Sequence, residues 1–386
     1  MVRCGRMLTF EIIESEPAGH ARHGRLVTPH GEIRTPAFMP IGTRATVKGV
    51  WPDQVRDSGA DILLANTYHL GQRPGAELVA ELGGLHRFMG WDRPILTDSG
   101  GYQVFSLAEL NRITDEGVTF RSHLDGQYIH LDPRSSMRIQ NQLGADIIMA
   151  FDQCPPGQSD RAVAGQAVER TVRWAEQCRR HHQRSDQALF GIVQGGVYHD
   201  LRRTCAERLI ELDFPGYAVG GLSVGEPYAQ MVAVLRELVP SLPANRPRYL
   251  MGVGKPCDIL AAVRAGIDMF DCVLPTRNGR NACAFTATGT MKLRNERYRR
   301  QDEPLEGGCP CPACQKFSRA YIRHLFLAHE MLGPMLVSVH NLWFFQRFMQ
   351  RLRDLIPQGD WATMLAEFPV AQEPLANESL TGEATE

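Results

Sequence analysis

The sequence predicts a TIM (β/α)8 barrel with N-terminal and internal hairpin insertions and a C-terminal zinc-binding subdomain. Three observations carry that prediction. Eight short, nearly continuous apolar runs alternate with helix-length amphipathic stretches, as parallel strands covered on both faces do. The length of 386 residues allows one barrel of about 250 residues plus appendages. Aspartate, glutamine and paired glycines follow the apolar runs, at the strand ends where barrel chemistry collects. A doubly wound sheet is the weaker alternative.

In chain order the strand runs are TPAFMPIGT, DILLANTYH, PILTDSGG, DIIMAFDQC, LFGIVQGG, YAVGGLSVG, RYLMGVGKP and MFDCVLPT, with cores near residues 38, 64, 96, 149, 191, 218, 250 and 271. Between them PDQVRDSGA, RAVAGQAVERTVRWAEQCRRHH, DLRRTCAERLIEL, YAQMVAVLRELV and KPCDILAAVRAG space their apolar residues by three and four, the mark of helices with one buried face. Up to about residue 35 the chain reads as extra strands closing the other side of the barrel. In the longest gap, VTFRSHLDGQYIHLD alternates about a DG turn, so a β-hairpin insertion is expected near 110–135. After residue 275 the βα rhythm stops. FTATGTMKLRN there reads as a further hairpin, followed by a cysteine cluster and two helices split by Gly333 and Pro334. The expected division is a barrel over 1–275, a zinc-binding and helical subdomain over 276–366, and a tail over 367–386. That tail, acidic and without aromatics from Gln372 onward, is expected to be disordered.

Hydrophobic residues at 43% and charged residues at 22% suit a well-cored protein. No apolar run approaches the ~20 residues that span a bilayer. The start, MVRCGRMLTFEIIESE, has no apolar core of a secretory signal. Ten cysteines are too few for a disulfide scaffold, and a cytoplasmic location is expected. The net charge of −1 conceals an asymmetry: residues 275–325 carry 10 basic and 4 acidic side chains, a net of +6, against −2 before them and −5 after. A basic zone on a neutral protein can serve a polyanion or be a plain solvated face.

Asp98, Asp152 and Asp271 end three different strands and point at one axis. Singly, such a residue caps a turn; together they form a carboxylate set. Two carboxylates flanking one bond suit glycosidic chemistry, one attacking the anomeric carbon and one managing the leaving-group proton. A third can pair with the N–H edge of a heterocycle, and Asp with Gln194 offers the acceptors and donor of a guanine-like face. The glycines of YAVGGLSVG let backbone N–H groups approach a ligand, and Tyr102 and Met251 could sandwich a flat base or simply pack at the mouth. GVGKP lacks the phosphate-loop spacing, Pro256 standing at the hydroxyl position, which leaves Lys255 as a phosphate contact. Cys309, Cys311 and Cys314 in CPCPAC are a metal signal with three soft ligands. The fourth comes from His324, His329, His340 or Cys283, and residues 333–339, if extended, bring His340 back within reach. Four protein ligands leave no open position, so the site is structural.

Taken together, TDSGGYQVFSL, FDQC, GIVQGG, YAVGGLSVGEP, YLMGVGKP, MFDCVLPTRNGRN and CPCPAC with His340 resemble the bacterial tRNA-guanine transglycosylases, in order from about residue 8 to 365. The resemblance implies exchange of the wobble guanine of tRNAs with GUN anticodons for 7-aminomethyl-7-deazaguanine, a 7-deazaguanine base on the way to queuosine. It implies a ping-pong reaction with Asp271 as nucleophile and Asp98 as general acid/base. By the same likeness Ser99, Gly100, Gly101, Tyr102, Asp152, Gln194, Gly221, Leu222 and Met251 bind the base. Gly252, Val253, Gly254, Lys255, Pro256, Cys257 and Asp258, with Thr276, Arg277, Asn278, Gly279 and Arg280, match the tRNA-contacting loops. Cys309, Cys311, Cys314 and His340 match the ligands of one structural Zn2+ per subunit of a homodimer, with no membrane involved. Cys154 and Val224 match the bacterial pocket. Three positions depart from the common bacterial pattern: Gln153 for Glu, Gly196 for Ser, and Ala282-Cys283 where Gly follows the Asn. A non-catalytic tRNA-binding homologue is the rival reading, and the presence of both Asp98 and Asp271 counts against it. A barrel glycosidase would want several Trp at the mouth, and none of the five stands at a strand end.

Overall fold

The computed structural model describes residues 8–102, 111–122, 124–157 and 159–374. Its centre is a closed parallel barrel. Strand β1 is split into Ala37–Met39 and Ile41–Gly42 around Pro40, which has no N–H for the ladder. The others are β2 (Leu63–Ala65), β3 (Ile95–Thr97), β4 (Ile147–Met149), β5 (Ala188–Val193), β6 (Tyr217–Val219), β7 (Arg248–Leu250) and β8 (Met269–Asp271). They pair in chain order, and the ring closes because the first half of β1 pairs with β8 and the second with β2. The nine hydrogen-bonded segments are therefore an eight-stranded TIM barrel, and all eight expected strand cores lie on or within a residue of a barrel strand.

Side chains alternate across each strand. Ala37, Met39, Leu64, Leu96, Ile147, Met149, Phe190, Ile192, Ala218, Tyr249 and Met269 fill the interior. Phe38, Leu63, Ile95, Ile148, Leu189, Val219, Leu250 and Phe270 face the surrounding helices. The antiparallel sheet of Thr9–Ser15, Arg22–Thr28 and Gly31–Thr35 plugs the N-terminal end, adding Leu26 and Ile33 to that interior. Arg22 fastens it through a buried two-pronged pair with Asp268, at 2.8 and 2.6 Å. His30 and His86, stacked at 3.5 Å, each bond the buried Asp146 carboxylate just before β4. The insertion is a three-stranded sheet of Asn111–Ile113, Val118–Arg121 and Tyr128–Leu131, one strand more than the hairpin expected.

Beyond the barrel, Cys283–Thr286 and Gly289–Lys292 form the expected hairpin. Gly333 and Pro334 do not separate two helices. They lie in the first turn of the helix Leu332–Leu355, whose unpaired early N–H positions tolerate proline. The preceding helix stops at Leu327, and residues 333–339 are helical rather than extended. His340 reaches the cysteines because this long helix packs on the hairpin and on the helix Pro312–Lys316. Order also runs past 367: Phe368 and Ala371 are buried, the former edge-on to Phe344 and Phe348, so apolar packing holds the first part of the expected tail. Residues 375–386 lie outside the described residues. Among those described, no helix is long and apolar enough to cross a membrane.

Candidate active site

Strand parity builds the site. Asn66, Asp98, Gln194, Gly220, Met251 and Asp271 each stand two residues beyond an inward-facing strand residue, so they continue the interior face into the mouth. Asp152 is one residue out of step, because both Ala150 and Phe151 turn outward. The result is a cavity of about 370 Å³ bounded by all three carboxylates, with Gln194, Gly221, Leu222, Ser99, Tyr102, Met251 and Gly252 also on its wall. Gly100 and Gly101 stand behind it: the Gly100 N–H donates to Asp98 and that of Gly101 to Ser99 Oγ, and a Cβ on Gly101 would meet the Asp152 carbonyl oxygen at 2.7 Å.

The three carboxylates have different surroundings. Asp98 Oδ1 accepts from the Thr67 N–H at 2.8 Å and Oδ2 from the Asn66 amide. Burial, together with the nearby charges of Asp271 and Asp152, outweighs those donors and pushes the Asp98 pKa up to about 7. Asp271 Oδ1 takes both of its donors, the Tyr249 hydroxyl at 2.5 Å and the Gly252 N–H at 2.7 Å. Its Oδ2 has no hydrogen bond among the described residues, and Asp271 is on the cavity wall. Burial raises the Asp271 pKa, and those two donors hold the rise back. Asp152 is held by Ser99 Oγ at 2.9 Å and Gln194 Nε2 at 2.8 Å, while the buried Gln194 Oε1 has no hydrogen-bond partner among the described residues.

Asn66, Tyr249 and Arg202 are contributors that the sequence did not single out. Arg202 is fully buried and donates to the carbonyls of Val193, Gly196, Gly220 and Gly221. Gln153 is absent from the cavity wall; its amide oxygen accepts from Arg170, so the departure at this position acts behind the site. Of the loop residues matched to tRNA contact, Gly252, Lys255 and Arg277 are exposed and Cys257, Asn278 and Arg280 half-buried. Val253, Gly254, Pro256, Asp258, Thr276 and Gly279 are buried, so they shape the loops rather than face solvent.

The ligand atoms of Cys309, Cys311, Cys314 and His340 lie within 4.8 Å of one another, and all four residues are buried. His340 Nδ1 is 3.8, 3.5 and 3.3 Å from the three sulfurs, and its Nε2 is 2.8 Å from the Phe285 carbonyl oxygen. That contact places the proton on Nε2 and leaves the Nδ1 lone pair aimed at the thiolates, so the group can hold a metal ion. His324 and His329 are exposed and outside the group, and the half-buried Cys283 is outside it too.

A family model described as Queuine tRNA-ribosyltransferase matches residues 17–374. The chain belongs to this family. It is 55% identical over 363 residues to the queuine tRNA-ribosyltransferase of Moorella thermoacetica, covering 94% of this chain and 97% of that one. The protein of the same name from Solidesulfovibrio magneticus is 56% identical over 351 residues, 90% and 94% of the two chains. That from Novosphingobium aromaticivorans is 56% identical over 357 residues, 91% and 95%. The chain is thus a pentosyltransferase, a tRNA-guanine transglycosylase with tRNA as its partner. Its paired buried carboxylates are what a glycosyl exchange needs.

Proposed function

We propose that the enzyme replaces the wobble guanine of GUN-anticodon tRNAs by 7-aminomethyl-7-deazaguanine through a covalent Asp271–ribose intermediate. One observation carries this reading: two buried carboxylates share a cavity with opposite hydrogen-bond settings. Asp271 keeps its Oδ2 open while Tyr249 and Gly252 stabilise charge on Oδ1, which suits a nucleophile. Asp98, with its pKa near 7, can carry the proton an acid needs. Asp271 Oδ2 attacks C1′ of the ribose as the glycosidic bond breaks, and Asp98 protonates the departing guanine. The incoming base gives its N9 proton back to Asp98 as N9 displaces the Asp271 ester, so protons and charge balance over the cycle. A loop base is cheaper to turn out than a paired one.

Within the cavity Asp152, Gln194 and the Gly221 N–H hold the base edge, Tyr102 and Met251 cover its faces, and the Leu222 carbonyl meets the aminomethyl group. Zinc suits the three thiolates and one imidazole, whose full ligand set makes it structural. Gly252, Lys255 and Arg277 meet the anticodon-loop backbone from the exposed side of their loops. A homodimer in the cytoplasm completes the proposal; the exposed Tyr321, Leu327, Met331 and Leu332 on the C-terminal subdomain offer it apolar surface. Asp271→Asn should abolish the tRNA adduct seen on a denaturing gel while tRNA affinity stays within a few-fold. An adduct of undiminished yield refutes the nucleophile.

A further inference from the structure

Arg202 is a cation without a carboxylate. It is fully buried, has no ion pair among the described residues, and spends its N–H groups on four backbone carbonyls. Burying a guanidinium on neutral acceptors is costly, and here burial lowers its pKa to about 10. The carbonyls belong to the ends of β5 and β6 and the glycine turns that follow. Those turns wrap the side chain closely: Gly195, Gly196 and Gly221 have φ of +143°, +58° and +64°, and a Cβ on Gly195 would meet the Arg202 Cγ at 2.8 Å.

The consequence follows from peptide planarity. In a trans peptide the C=O and the next N–H point in opposite directions. Arg202 Nη2 holds the Gly220 carbonyl at 3.0 Å and the Gly221 carbonyl at 3.2 Å, so the N–H groups of Gly221 and Leu222 are turned away from it. Both residues line the cavity, and neither N–H has an acceptor among the described residues. From the other side Glu226 fastens the next turn through the N–H groups of Ser223 and Val224. We propose that Arg202 is a positioning residue that locks the 220–222 peptides so that the Gly221 and Leu222 N–H groups receive the ring carbonyl oxygen of a purine-like base. This rests on the reading that the cavity holds the exchanged base.

The test compares guanine with 2-aminopurine, which lacks the ring carbonyl, in wild type, Arg202→Lys and Arg202→Gln. Binding of each free base is titrated, and guanine exchange kinetics are measured. The expected result is a guanine-over-2-aminopurine preference in wild type that falls about tenfold or more in both variants, with KM for guanine rising and KM for tRNA unchanged. A folded variant that keeps the full preference overturns the role of Arg202. If neither variant folds, amide exchange in wild type decides: guanine should protect the Gly221 and Leu222 amides, and unprotected amides in the guanine complex overturn the proposal. A wild type that binds tRNA but no guanine sinks the base-cavity reading, and this inference with it.

Discussion

Replacing Asp98 by Asn should remove activity and stabilise the protein at neutral pH. Folding moves the Asp98 pKa from 3.8 to about 7, chiefly through burial. A rise of roughly 3 units corresponds to about 4 kcal/mol of destabilisation once the group is ionised in both states, at 1.36 kcal/mol per unit. Below about pH 4 the carboxyl is protonated folded or unfolded and the cost is absent. It grows as pH rises and is complete above pH 7. The Asn side chain can keep the Thr67 and Gly100 N–H donors on its oxygen, but its own amide then faces the Asn66 amide, a donor against a donor. That mismatch costs about 1–3 kcal/mol, so the net gain is about 1–3 kcal/mol at pH 8. Thermal melts from pH 5 to 8 read this directly, as a melting temperature a few degrees above wild type at pH 8 and converging toward pH 5. A variant less stable than wild type at pH 8, or a gain indifferent to pH, refutes the assignment of Asp98 as a buried carboxyl of raised pKa.

Three further outcomes are expected. His340→Ala should lose one equivalent of metal and on the order of 4 kcal/mol of stability; unchanged metal content by mass spectrometry would contradict its place in the site. Arg277 is exposed and has no ion pair among the described residues, so Arg277→Ala should weaken tRNA binding and lower the salt slope by about 1; an unaltered slope removes it from the phosphate surface. Burial would raise the Asp146 pKa, but hydrogen bonds from His30 and His86 prevail and hold it well below the usual carboxylate range, while Asp146 raises that of His30. The depressed Asp loses its contribution as pH falls below about 4, and the raised His loses its own as pH climbs past about 6.5. Asp146→Asn should therefore be most destabilising between those limits, and a pH-independent difference in melting temperature would contradict the clamp.

Much of the site was legible because strand ends carry parity. Asp98 and Asp271 follow apolar runs at the positions that face the axis, and the glycines of YAVGGLSVG mark a turn that side chains cannot enter. Tyr249 was hidden because an aromatic inside an apolar run reads as barrel packing, which it also is. Arg202 was hidden beside Arg203, where two successive arginines on an amphipathic helix read as solvated charge. Asn66 was hidden because one asparagine closing DILLANTYH carries no chemical signal of its own; in the structure its side chain caps the next helix by accepting from the His69 N–H while its amide donates to Asp98. Gly333 and Pro334 misled because both break helices in mid-run, yet the N–H groups of a first turn make no intrahelical hydrogen bond that proline could remove.

Base exchange at the buried carboxylate pair can be measured directly. The most direct measurement is incorporation of labelled guanine into an unmodified tRNA with a GUN anticodon, followed by a chase with 7-aminomethyl-7-deazaguanine. Uptake at the wobble position and release of label on the chase are the predicted result. Tight tRNA binding without uptake would contradict it and leave a tRNA-binding protein whose Asp98 and Asp271 do no exchange.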